Sequence, residues 1–77
     1  MIITSQYGDN IIKDRMESFF VKHYLSSTSA PDYWAVLAQG AFRVHLIGYY
    51  LTEARANEVK DEVVAATVDW TAPSADS

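Results

Sequence analysis

Residues 33–51 read YWAVLAQGAFRVHLIGYYL and form the most apolar run in the chain. The run is broken once, at Gln39-Gly40. Glycine at such a break is a turn signal, so the run divides into two strands of a β-hairpin. A two-residue connection there pairs Ala38 with Ala41 and sets the rest of the register. Leu37 then faces Phe42, Ala35 faces Val44, and Tyr33 faces Leu46. Side chains alternate across a strand, so these six share one face. Trp34, Val36, Arg43, His45 and Ile47 fall on the other. The first face is apolar apart from one phenol, and it is expected to bury against helices. The second is mixed. A slip of one residue would exchange the two faces, so their contrast supports the pairing. Gly48 permits a bend or bulge near the end of the second strand.

A helix is expected on each side of this hairpin. Downstream, Thr52 is placed to cap, and Glu53 puts negative charge in the first turn. In the segment EARANEVKDEVVAAT (53–67), Ala56, Val59, Val63 and Ala66 recur at helical spacing and make a narrow stripe of small residues. Upstream, Asp9 or Asn10 can cap. Ile12, Met16, Phe19, Phe20 and His23 then fall at offsets that form one stripe, which predicts a helix over 11–25. Residues 1–5, MIITS, suit either an edge strand added to the hairpin or a frayed terminus. Tyr7-Gly8-Asp9-Asn10 reads as a turn. Residues 26–32, SSTSAPD, read as a connector. Trp70 either packs against the domain, the favoured reading, or stands exposed as a peptide anchor.

Together these readings give a small two-layer α+β domain, (β)-α-β-β-α, over residues 1–72. Two helices pack on one face of an antiparallel hairpin or three-stranded sheet. Residues 73–77 are expected to form a disordered tail.

Composition limits the function. The chain has 77 residues, 49% of them hydrophobic, and no cysteine. That is enough for one packed domain, without disulfides, thiolate chemistry or sulfur-based zinc sites. A chain this small often takes stability from a partner. Net charge is −4, against the basic footprint expected for binding DNA or RNA and against attachment to anionic membranes. No apolar run reaches the ~18 residues of a membrane span. No basic segment precedes an apolar stretch at the N-terminus, so a cytoplasmic protein is expected. His23 and His45 share no metal-ligand spacing. No nucleophile and base come together in the sequence, and the carboxylates of the second helix lie on a solvated face. Neither an enzyme, nor a cofactor, nor a metal is expected.

Two surfaces remain as candidates. One is the mixed hairpin face with Trp34, Val36, Arg43, His45 and Ile47, since Trp and Arg are enriched at binding hot spots. The other is the acidic face with Glu53, Glu58, Asp61 and Glu62, which resembles a row of phosphates, although Arg55 and Lys60 interrupt it. The expectation is a non-enzymatic protein-binding module. In size and character it looks like the accessory or inhibitory proteins of phages and mobile elements, which block a host enzyme or a nucleic-acid-guided defence complex by occupying its surface. The competing expectation is a homodimer or assembly subunit built on the mixed face, and the less favoured one is an acidic nucleic-acid mimic.

Overall fold

A computed structural model describes residues 1–25 and 32–75. The connector expected at 26–32 lies outside the described residues except for Asp32. In chain order the elements are β1 (Ile2–Thr4), β2 (Asn10–Ile12), a 3-10 turn (Lys13–Arg15), β3 (Ser18–Tyr24), β4 (Tyr33–Gln39), β5 (Val44–Tyr50), α1 (Glu53–Ala65) and β6 (Trp70–Thr71). They form two three-stranded sheets, ordered β2-β1-β6 and β3-β4-β5. The domain is mixed α and β, with one helix among the described residues.

The helix expected over 11–25 is not there. That segment is β2, the 3-10 turn and β3. Ser18–Tyr24 pairs antiparallel with β4 along all seven residues, from Ser18↔Gln39 to Tyr24↔Tyr33. Two phenylalanines, a valine and a tyrosine within seven residues suit a pleated sheet. Pairing settles the conflict, because β4 needs a neighbour on this side and β3 supplies one. Phe19 and Val21 then pack against the core, while Phe20, Lys22 and Tyr24 alternate to the opposite face. The short N-terminal strand is also placed differently. β1 does not extend the hairpin but is the centre of the small sheet, antiparallel to β2 and parallel to β6.

The hairpin itself forms, in a different register. Its loop is four residues, Gly40–Arg43, and Gln39 pairs with Val44. The Gly40 amide donates to the Arg43 carbonyl at 2.9 Å. A two-residue turn would require a positive φ at Gln39. Among the described residues none but Gly8 has one (φ 87°). Ala38↔His45 and Leu37↔Leu46 follow, then the register slips by one, giving Val36↔Gly48 and Trp34↔Tyr50. The slip is a β-bulge at Ile47-Gly48. Ile47 and Tyr50 are three apart and would point to opposite faces of a regular strand. With the bulge, both are fully buried in the core.

The face that α1 covers is therefore the mixed one, while Ala35 and Leu37 of the other face are buried as well. Val36, Ala38, Ile47 and Tyr50 meet Ala56, Val59 and Val63 of α1, with Ile3, Ile11 and Ala72 from the small sheet. The helix matches its expectation closely. Thr52 is the N-cap, its hydroxyl accepting from the Arg55 amide at 3.1 Å. The C-terminal end of α1 is capped from outside. The Lys13 ammonium donates to the Val64 and Ala66 carbonyls, both at 2.7 Å, where positive charge suits the helix dipole.

Trp70 packs against the core from β6. The chain is also held at Pro73. The Pro73 carbonyl accepts from Gln6 Nε2 at 3.0 Å and from the Tyr50 hydroxyl at 2.9 Å. Residues 76–77 lie outside the described residues. Among the described residues no helix is long and apolar enough to cross a membrane.

Candidate functional site

The loop between β4 and β5 ends in Ala41-Phe42-Arg43, and all three residues are exposed. Phe42 has its whole side chain in solvent. The loop that carries it is braced from below. The Glu17 amide donates to the Gln39 carbonyl at 2.7 Å, and Gln39 Nε2 donates to the Gly40 carbonyl at 2.8 Å. Gly40 is buried, and a Cβ there would stand 3.1 Å from the Arg43 carbonyl oxygen and 3.3 Å from both His45 Nε2 and the Met16 methyl. Glycine thus lets Met16 and His45 close beneath the tip. The result is a groove of about 530 Å³ lined by Arg15, Met16, Ala41, Phe42, Arg43 and His45. A second groove of about 390 Å³ runs from Tyr7 and Asn10 to Leu46. Arg43 and His45 line both.

Of the five residues expected on a binding face, two meet here: Arg43, exposed, and His45, half-buried. Val36 and Ile47 have no exposed surface, because α1 covers them. They can meet neither a partner nor a second copy of the chain. Trp34 is half-buried, its ring stacked on His23 with centroids 4.5 Å apart. Its indole Nε1 is buried with no hydrogen-bond partner among the described residues. A two-residue turn would put Phe42 beside Leu37 on the face expected to bury against helices, and the longer loop moves it to the tip. Its one sequence signal is its place two residues after Gly40.

The acidic residues Glu53, Glu58, Asp61 and Glu62 are exposed on α1. The row is not purely anionic. The Arg55 guanidinium lies 3.3 Å from Glu58 and 3.6 Å from Glu62, and Lys60 lies 3.3 Å from Asp61.

The outer face of the large sheet holds a feature that sequence reasoning missed. Tyr24 and Tyr33 stack with centroids 5.6 Å apart, and both meet Tyr49 edge-on at 6.0 and 4.8 Å. Tyr7 reaches Tyr49 from the β1–β2 turn at 6.4 Å. Desolvation, then the neighbouring phenols of Tyr33, Tyr24 and Tyr7, push the Tyr49 phenol above its ordinary range. The signal in sequence was present, but its parts lie in four separate segments that only the observed register brings together.

Among the described residues no group of three or more His, Asp or Glu could hold a metal ion. What the hairpin tip offers is contact: a projecting aromatic ring, a guanidinium beside it and an apolar groove behind. Comparison with known proteins finds no matching family model, no matching curated protein and no matching solved structure.

Proposed function

We propose that this chain is a non-enzymatic protein-binding module that docks through its hairpin tip. The observation that carries the reading is the complete exposure of Phe42. The fold gains nothing from that ring, whereas burying it in a partner would contribute roughly 1.5–3 kcal/mol. Arg43 is next to it, and aromatic residues with arginine are the usual anchors of an interface. Gly40 and the two braces below hold the loop in place, which lowers the ordering cost of docking. In its narrower form the reading is an accessory or inhibitory protein that occupies the surface of a host enzyme or a nucleic-acid-guided defence complex, as small phage and mobile-element proteins do.

The full chain immobilised as bait tests this, in the wild type and as Phe42→Ala and Arg43→Ala. Both substitutions lie on the exposed loop and should leave thermal stability unchanged. A protein retained by the wild type should be bound at least about tenfold more weakly by each variant. Equal retention by all three chains would exclude the tip. Loss only after charge reversal at Glu58, Asp61 and Glu62 would transfer the function to the acidic face.

A further inference from the structure

The two edges of the large sheet are not treated alike. The β5 edge is capped over its C-terminal half: the Gln6 amide donates to the Ile47 carbonyl at 2.9 Å, and the Gln6 side chain occupies both backbone groups of Tyr49. The opposite edge is β3, and among the described residues no strand pairs with its outer side. β3 runs seven residues, Ser18–Tyr24, without proline, and pairs with β4 without a bulge. A long regular edge of this kind is a template for another strand unless something blunts it. Its one lysine is Lys22, whose ammonium lies 5.1 Å from the centre of the Tyr24 ring on its own strand.

We infer that the β3 edge pairs with β3 of a second copy of this chain, antiparallel across a two-fold axis at Val21, giving a continuous six-stranded sheet. The strand's own sequence chooses this occupant. Centred on Val21, the register uses all seven residues and sets Phe20 against Lys22 of the other copy, Phe19 against His23, and Ser18 against Tyr24. No like charges meet, and each lysine lies across from an aromatic ring. The two copies of α1 fall on the same side, because paired residues share a face. The strand itself carries no acidic side chain; the acids beside it include Asp32, which is neutralised in part by His23 at 3.2 Å, and Glu53, which shares a groove with Val21 and His23 on the helix side. A 77-residue domain without cysteine also stands to gain from a partner's added hydrogen bonds. The inference is independent of the hairpin-tip reading. If both hold, one dimer presents two copies of Phe42.

Size-exclusion chromatography with light scattering on the full chain tests this, supported by three variants. The wild type should show twice the monomer mass. Phe20→Lys places lysine opposite Lys22 twice in the interface and should yield monomer. Phe20→Glu removes the same ring but creates two opposite-charge pairs, and should stay dimeric. Should both position-20 variants fail to fold, Val21→Cys decides. In a cysteine-free chain it should form an intermolecular disulfide under mild oxidation, much faster than Thr67→Cys, which is exposed after α1. A strictly monomeric wild type at millimolar concentration would overturn the inference. So would equal dimerisation of the lysine and glutamate variants, or a Val21→Cys chain that cross-links no faster than the control.

Discussion

The carboxamide of Gln6 pairs with both backbone groups of Tyr49: Oε1 accepts from the Tyr49 amide at 2.8 Å, and Nε2 donates to the Tyr49 carbonyl at 3.0 Å. One side chain thus does what a neighbouring strand would do for that residue. The space it occupies exists because position 48 is glycine. A Cβ at Gly48 would stand 2.6 Å from the Gln6 carboxamide carbon. Gln6 also donates to Pro73, so the capped edge, the bulge and the end of the chain are joined through one residue.

Gln6→Ala removes these side-chain bonds and should destabilise the domain by about 2 kcal/mol, read as a fall in the denaturation midpoint. Gly48→Ala should cost a similar amount by displacing the same side chain. Because both act through one contact, their effects should not add. In the Gln6→Ala background the glycine substitution should lose most of its cost. Additive losses would mean that Gly48 is needed for the bulge backbone and not for Gln6.

Lys13 anchors the N-terminal half of the chain to the last turn of α1 through Val64 and Ala66. Lys13→Met keeps the aliphatic stem and removes the charged donor. It should lower stability by about 1 kcal/mol. Amide exchange should also speed up in the last turn of α1 and not at its N-terminus, where Thr52 still caps. Unchanged exchange over that turn would remove Lys13 as the cap.

Tyr50 is fully buried beneath α1, and its hydroxyl donates to the Pro73 carbonyl. Burial pushes its phenol up to about 12, from an ordinary value of 10.0. The folded state therefore holds the proton more tightly than the unfolded state does. The stability this contributes is fully present below pH 10 and is lost as pH rises from 10 towards 12. The slope should approach 1.4 kcal/mol per pH unit at most. Urea denaturation from pH 9 to 12 should show the decline in the wild type, and Tyr50→Phe should make it shallower, leaving the part contributed by the raised Tyr49 phenol. An equal decline in both chains would assign the loss to other groups.

How far the sequence disclosed this fold differs from segment to segment. α1 was legible because its signals are local: a capping threonine, and small apolar residues at helical spacing that the structure buries at Ala56, Val59 and Val63. Residues 11–25 were not, because two periods fit them. Ile12, Met16, Phe19, Phe20 and His23 satisfy a helical stripe, while Ser18–Tyr24 carries bulky side chains on both faces, as a strand in this sheet does. The choice between them rests on β4, at least nine residues away in sequence, which no local pattern reports. The hairpin was found, but its loop length was not. Two extra residues in the loop changed every partner across it and carried Phe42 from an expected core position to the tip. The bulge then put Ile47 and Tyr50 on one side, which a strict alternation forbids. Arg43 and His45 were legible as candidates from residue type alone. The tyrosine cluster was not, since it needs both the correct register and the strand identity of residues 18–24.

Hydrogen exchange on the full chain bound to a captured partner tests most directly the proposal that the hairpin tip is the docking surface. The account predicts that protection appears over Gly40–Arg43 and the neighbouring Arg15–Met16, while the exposed side of α1 and the tyrosine face exchange as in the free chain. Protection confined to Glu53–Glu62 or to Tyr24, Tyr33 and Tyr49, with the tip unchanged, would contradict it.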